Sequence, residues 1–162
     1  MNIKIIFSIL LFILNIKAYA DCYDGNDFDD CMERAKQGNA YSQYLVGYSY
    51  HTGRNVSKNY NNAAYWYKQA AENQNATAQS NLGLLYYNGN GVEKDYAKAA
   101  YWFKQGAEQG NEQAQSNLAE AYYLGEGVPR SMEKAMKWFK RAADQGNKQA
   151  AQNVRVLRKK GY

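Results

Sequence analysis

The sequence predicts an all-α superhelix of about eight helices, made of a half-unit, three 36-residue repeats and a C-terminal capping helix. The first observation is that residues 71–106 recur at residues 35–70 and 107–142 without a gap. The second is that aromatic and glycine columns fall in register, such as Trp66, Trp102 and Trp138. A fixed period of this length is typical of solenoids, in which a repeat buries its apolar face only against its neighbours.

Residues 1–20 have the features of a secretory signal peptide. Lys4 precedes an apolar run, Ile5–Ile16, and Ala18 and Ala20 form an A-x-A cleavage site. An uncleaved anchor is the alternative, but the run spans only about 18 Å of helix against a hydrocarbon core of about 30 Å. We therefore expect cleavage after Ala20 and a secreted or periplasmic chain with no stable membrane span.

Residues 21–34 are predicted to form a lead-in and a half-repeat. They contain the two cysteines of the chain, Cys22 and Cys31. Export would place both in an oxidising compartment, where each is the only candidate partner of the other. A Cys22–Cys31 disulfide is therefore expected.

Charge is distributed unevenly along the sequence. The net charge is +5, but residues 21–33 are strongly acidic and residues 130–160 are strongly basic. Two interpretations stay open. The charged ends are either solvated faces, or the basic end attracts an acidic partner or a membrane surface.

Junctions between helices are marked by glycine followed by asparagine. In Gly38-Asn39 the glycine suits a left-handed residue at a helix end, and the asparagine suits the next N-cap. The pair is broken at Gln74-Asn75, where we expect Asn73 to be left-handed. The second helix of each repeat is predicted to begin after a capping residue, namely Asn59, Asp95 or Ser131.

Within a repeat, apolar spacing predicts which residues form the core. Ala78, Leu82 and Tyr86 lie at i, i+4 and i+8, one stripe of a helix. Gly83 on this helix predicts close approach by a neighbouring helix. Residues 143–162 repeat the first helix with arginines at two core columns, as expected of a capping half-repeat.

The segment AQSNLGLLYYNGNGVEKDYAKAAYWFKQGAEQGN resembles the Sel-one-like repeat family, which is related to tetratricopeptide repeats. The matching residues are Ala78, Leu82, Gly83, Tyr86, Gly89, Gly91, Val92, Asp95, Lys98, Ala99, Trp102, Ala107 and Gly110. The resemblance covers residues 35 to about 156. It implies a right-handed superhelix whose first helices line a concave face, and an adaptor that binds proteins or peptides.

The same resemblance predicts which side chains would contact a partner on the concave face. These positions vary between copies, and several are tyrosines, which offer contact area and a hydrogen bond. An alternative for Tyr44, Tyr48, Tyr87 and Tyr123 is that they cover the seam between helices. The predicted contact residues are Tyr41, Tyr44, Tyr48, His51, Thr52, Thr77, Ser80, Leu84, Tyr87, Asn88, Gln113, Ser116, Glu120, Tyr123 and Leu124.

The sequence offers no pattern for catalysis. His51 is the only histidine, so neither a zinc site with the cysteines nor a catalytic triad is expected. Ser131 and Lys134 match the S-x-x-K pattern of penicillin-recognising enzymes, but both fall in columns that the repeat already explains. We expect no catalytic residue, metal, cofactor or nucleic-acid partner.

The sequence thus predicts an exported, non-enzymatic module that binds a protein or peptide. The partner stays open among an envelope protein, a host factor and a toxin that the module neutralises. A β-lactam-binding or β-lactamase-like protein is the alternative, because some cysteine-rich members of the resembling family have been assigned such activity. A third possibility is an assembly role through the ends of the solenoid.

Overall fold

The computed structural model of the chain describes residues 28–162, which form eight α-helices and no strand. The predicted signal peptide and Cys22 lie outside these described residues. The bounds of the eight helices are α1 Phe28–Lys36, α2 Ala40–Thr52, α3 Tyr60–Glu72, α4 Ala76–Asn88, α5 Tyr96–Glu108, α6 Glu112–Leu124, α7 Met132–Asp144 and α8 Lys148–Lys159. We call α2, α4, α6 and α8 the first helices, and the others the second helices.

The helix ends follow the predicted caps with one exception. The Asn75 side chain accepts a hydrogen bond from the Ala78 backbone N–H at 2.8 Å, and every first helix has the same cap. The second helices are capped by Asn59, Asp95 and Ser131. The prediction for Asn73 is wrong: its φ is −84°, and Gln74 takes the left-handed conformation at φ 63°. Distance from the helix end decides which residue reverses the chain, and it outweighs the greater tolerance of asparagine for positive φ.

Each helix packs against the next along the chain, so the core is a continuous row of clusters. Tyr67, Phe103 and Phe139 are buried at the same place in successive repeats. The close approach predicted at Gly83 is confirmed, because a Cβ there would lie 2.5 Å from the Phe103 ring. The third copy carries Ala119 at this position, fully buried.

The turns within the second and third repeats each rest on the repeat before. Gly127 has a φ of 71°, and a Cβ at this position would overlap the carbonyl of Tyr96. Gly91 meets the Tyr60 carbonyl in the same way. Both constraints, positive φ and backbone contact, therefore require glycine here.

A buried glutamine in each of the three repeats joins three helices. Gln79 of α4 donates from Nε2 to the Ala71 carbonyl of α3 at 3.0 Å, and its Oε1 accepts from Gln109 Nε2, just after α5, at 2.7 Å. Gln43 and Gln115 make the equivalent bonds 36 residues away. Buried polar groups are costly unless they are hydrogen-bonded, so these pairs tie each repeat to a single register with its neighbours.

Within residues 28–162, no helix has both the length and the apolar character that crossing a bilayer requires.

Replacing Gln79 by methionine keeps the volume of the side chain but removes both of its hydrogen bonds. We expect the free energy of unfolding, measured in urea, to fall by about 1–3 kcal/mol. Gln152→Met is the matched control, because Gln152 is exposed on α8 and its replacement should change stability by less than about 0.5 kcal/mol. Equal effects of the two substitutions would contradict a stabilising role for the buried glutamine.

Candidate partner-binding face

One stripe of each first helix is the candidate partner-binding surface, which we call the first-helix face. In α4 it contains Thr77, Asn81, Leu84 and Asn88, at the i, i+4, i+7 and i+11 spacing of a single helix face. All four are exposed or half-buried. Of the residues between them, Tyr86 and Tyr87 are half-buried, and the buried ones are Ala78, Gln79, Ser80, Leu82, Gly83 and Leu85. The equivalent stripe in α6 is Gln113, Asn117, Glu120 and Leu124, and in α8 it is Gln149, Asn153 and Val156, followed by Lys160 just after the helix.

Most of the predicted contact residues lie on or beside this face. Tyr41, Tyr48, Thr52, Thr77, Asn88, Gln113, Glu120 and Leu124 are exposed, and Tyr44, His51, Leu84, Tyr87 and Tyr123 are half-buried. Two do not reach the surface: Ser80 and Ser116 are only 2% and 3% exposed. A first helix packs between the second helices before and after it, so it buries more of its circumference than the prediction allowed.

An asparagine column belongs to the face and was missed in the prediction. It consists of Asn81, Asn117 and Asn153, all half-buried. The Nδ2 atom of Asn117 is buried without a hydrogen-bond partner among the described residues. The signal was present in the sequence, since asparagine recurs at this position every 36 residues, directly before the buried residues Leu82, Leu118 and Val154.

Neighbouring first helices enclose clefts that are equivalent in successive repeats. The middle cleft, between α4 and α6, has a volume of about 30 Å³. The C-terminal cleft, between α6 and α8, has a volume of about 270 Å³. The middle cleft is lined by Leu84, Tyr87, Phe103, Asn117, Glu120 and Ala121. The residues 36 positions later, Glu120, Tyr123, Phe139, Asn153, Val156 and Leu157, all line the C-terminal cleft, together with Leu124 and Gln149.

The equivalent N-terminal position, between α2 and α4, is occupied by aromatic side chains. Tyr67 stands in the column of Phe103, and its hydroxyl lies 3.3 Å from His51 Nδ1. The Tyr67 oxygen also accepts a hydrogen bond from the Asn81 side chain, so we assign Tyr67 as the donor to a neutral His51 ring. Tyr44 stacks on Tyr67 at a centroid distance of 6.1 Å. Tyr67 therefore satisfies the asparagine that Phe103 leaves unsatisfied in the next repeat.

Acidic groups lie between the middle and C-terminal clefts. Tyr87 donates a 2.8 Å hydrogen bond to Glu126 Oε2. The pKa of Tyr87 is raised to about 12, mainly by this hydrogen bond and secondarily by burial and by the negative charge of Glu126. Burial of the Glu120 carboxyl, followed by the charge of Glu126, raises the pKa of Glu120, although the residue as a whole is exposed. At the C-terminal cleft, Lys160 Nζ donates to Tyr123 Oη at 3.3 Å.

The other residues singled out in the sequence, Ser131, Lys134 and Cys31, make contacts that belong to the helix caps and the core. Ser131 accepts from the Lys134 backbone N–H at 3.3 Å as an N-cap, and Lys134 Nζ lies 5.2 Å from the centre of the Tyr122 ring. Cys31 is buried in the first core cluster, and since Cys22 lies outside the described residues, their disulfide stays a prediction. No group of three or more histidine, cysteine or acidic side chains in residues 28–162 is arranged to hold a metal ion.

Comparison with known proteins identifies the family. The Sel1 repeat matches at residues 40–75, 76–111 and 112–147, so the chain belongs to the Sel1 repeat family. The resemblance found in the sequence, and the α-α superhelix that it implied, are thereby confirmed. Sel1 repeat proteins generally act through protein–protein interaction. No curated protein sequence matches the chain.

Solved structures show the same fold. The chain is 34% identical to c5321, described as a protective antigen of uropathogenic Escherichia coli with an SLR fold, with a TM-score of 0.83 over 88% of this chain and 32% of that one. The chain thus spans about a third of c5321. A Sel1 repeat protein from Oxalobacter formigenes is 32% identical, with a TM-score of 0.74 over 80% of this chain and 98% of that one. Helicobacter pylori cysteine rich protein B shares the fold at 22% identity, with a TM-score of 0.59 over 87% and 92% of the two chains.

The environment of His51 predicts a pH-dependent contribution to stability. Burial, and secondarily the charge of Lys58, lower the pKa of His51 below its ordinary value of 6.5. Between the folded and the ordinary pKa, the unfolded chain therefore binds more protons than the folded chain. The free energy of unfolding should therefore rise with pH through this window. The contribution of His51 to it is fully present above pH 6.5 and is lost as the pH falls through the lowered pKa of the folded chain.

His51 is the only histidine, so NMR can follow its titration without overlap. We expect a midpoint below 6.5, and a smaller loss of stability between about pH 7.5 and 5.5 in His51→Gln than in the unmodified chain. A midpoint at or above 6.5 would show that the ring is not desolvated as the contacts indicate.

Proposed function

We propose that the chain is an exported, non-enzymatic module whose first-helix face binds a segment of a partner protein. The observation that carries the proposal is the series of clefts between first helices, which have similar floors but different walls. The floor is Phe103 in the middle cleft and Phe139 in the C-terminal cleft, and Tyr67 stands in the same column at the filled N-terminal position. The wall column changes from Tyr48 to Leu84 to Glu120. The variation of this column beside a repeated core gives each cleft its own chemistry, as selective recognition requires.

The chemistry of the face suits a polypeptide partner. Tyr41 and Tyr48 are exposed on α2, and tyrosine is enriched among the residues that dominate protein–protein binding. Beside the middle cleft, Thr77 and Asn88 expose polar side chains on the same face as Leu84. Together these groups offer apolar contact area and hydrogen-bonding groups on the first-helix face.

Export is supported by the sequence and by one relative. Residues 1–20 carry the signal-peptide pattern. The related c5321 is described as a protective antigen of uropathogenic Escherichia coli. For the present chain we propose a partner that is met outside the cytoplasm, which includes the envelope proteins, host factors and toxins considered from the sequence.

Removing tyrosines from the first-helix face should weaken binding. The mature chain, residues 21–162, would be immobilised, and a protein captured from the cell envelope or the culture medium would be identified by mass spectrometry and titrated calorimetrically. We expect Tyr41→Ala with Tyr48→Ala to weaken its affinity by about tenfold or more. Both side chains are exposed, at 39% and 37%, so the fold should be retained.

The chain offers a matched control for this experiment. Tyr65 and Tyr101 lie on second helices and are even more exposed, at 57% and 54%. Replacing them by alanine removes the same chemical groups from another face, so we expect little change in affinity. If the control pair weakened binding as much as Tyr41 and Tyr48 do, the first-helix face would not be the binding surface.

Export has a separate test. In a bacterium that expresses the full sequence, we expect the protein in the periplasm or the medium, with Asp21 as its N-terminal residue by Edman degradation or mass spectrometry. Ala18→Arg with Ala20→Arg should block processing, because signal cleavage needs small residues at these positions. A cytoplasmic protein that begins at Met1 would overturn this part of the proposal.

A further inference from the structure

We propose that the C-terminal cleft is an anchor pocket for one large apolar side chain of the partner, and that Glu120 and Glu126 bind a lysine or arginine of the same segment. The inference rests on the proposed function, since it assumes that the first-helix face binds a polypeptide. It adds the class of sequence that the face selects. Two features carry it, the apolar walls of the cleft and the acidic pair beside it.

The cleft is preformed and largely apolar. Phe139 and Leu157 are buried in its floor, whereas Leu124 and Val156 form walls that are 53% and 43% exposed. Its volume of about 270 Å³ exceeds the cavity of about 150 Å³ that is known to bind benzene. A leucine or phenylalanine side chain would therefore fit, and would bury apolar surface that the chain otherwise leaves in water.

The pocket is specific to one position of the repeat series. The middle cleft has the same arrangement but a volume of about 30 Å³, comparable to the share of one water molecule in the liquid. The N-terminal position already holds the Tyr67 and His51 rings. A partner segment lying along the face would therefore find the larger cleft at the C-terminal end.

The acidic pair, Glu120 and Glu126, selects a basic residue in the partner segment. Glu120 lines the pocket, and its interaction with Glu126 is repulsive. Within residues 28–162, neither carboxylate has a lysine or arginine nitrogen at ion-pair distance. A cation from the partner would relieve this repulsion at a partly desolvated position, where electrostatic complementarity contributes to specificity.

Other chemical classes fit the site less well. An anionic lipid or nucleic acid would meet Glu120 and Glu126 with like charge. Two cations beside the cleft already donate to Tyr123, Lys160 to its hydroxyl and Arg130 to its backbone carbonyl. A second copy of the chain could offer its own basic C-terminal residues, and the experiment below distinguishes this occupant from a separate partner.

A peptide array on a glycine and serine background is the direct test. Peptides of about twelve residues would carry leucine, phenylalanine or serine at one position, and arginine, glutamate or serine two positions away on either side. Binding to the mature chain would be followed by fluorescence anisotropy. We expect leucine or phenylalanine combined with arginine to bind at least about tenfold more tightly than peptides in which serine replaces either residue, and glutamate to abolish binding.

Variants of the pocket should change the selected sequence. Glu120→Lys should reverse the charge preference from arginine to glutamate. Val156→Asp should remove the preference for the apolar residue, and since Val156 is exposed the fold should be retained. Gln152→Glu is the control, because it adds a negative charge on another exposed side of α8 and should leave selection unchanged.

Three results would overturn the inference. One is that no peptide binds better than the serine-only peptide up to about 1 mM. Another is that Glu120→Lys and Val156→Asp select the same peptides as the unmodified chain. The third is a dimer by light scattering that Val156→Asp converts to a monomer, which would identify the occupant as a second copy. If one of the first two results were found but Tyr41 and Tyr48 were nevertheless required for partner capture, the proposed function would stand and only the pocket assignment would fall.

Discussion

The buried glutamine is the contact on which the rest of this solenoid depends. A helical repeat has little core of its own and is stable only when its neighbours lie at the correct distance and rotation. Gln79 holds the end of α3 with its amide nitrogen and the end of α5 with its amide oxygen. Because an apolar contact would tolerate sliding and a hydrogen-bonded pair does not, the glutamines set the spacing of the first helices. The clefts between those helices follow from that spacing.

Most of the fold could be predicted from the sequence, because the residues that each structural feature requires recur in three copies of the repeat. Caps, glycines at turns and the aromatic core all recur with the same period, and the structure follows them. The errors come from packing between helices and from the geometry of a helix end. Ser80 has the composition of a surface residue, but α4 is packed on both sides and covers it. Gln74 reverses the chain because of its distance from the helix end, although asparagine is the better residue for the task.

The candidate site was less predictable than the fold, since a cleft is formed by residues that are far apart in the chain. Tyr87 and Glu126 lie 39 residues apart, and only the packing of two repeats brings them within 2.8 Å. The volume of a cleft depends further on both walls together. Glu120 illustrates this, because it lines the middle and the C-terminal clefts at once. Neighbouring subsites on the face are therefore not independent, and a change in one wall residue alters two of them.

The glutamine column ends before the last helix, where Ala151 stands in place of the residue that clamps the three earlier first helices. Helix α8 is held by its apolar core and by two side-chain bonds to α6 from the residues at its ends, from Asn147 to Glu112 at 2.9 Å and from Lys160 to Tyr123 at 3.3 Å. The larger of the two clefts, at about 270 Å³, thus has one wall on a helix without the clamp. An occupant of the proposed pocket would contact α8 and α6 together, and so would supply a link between them that the missing glutamine does not. Binding there would stabilise the C-terminal end of the solenoid, as a further repeat would.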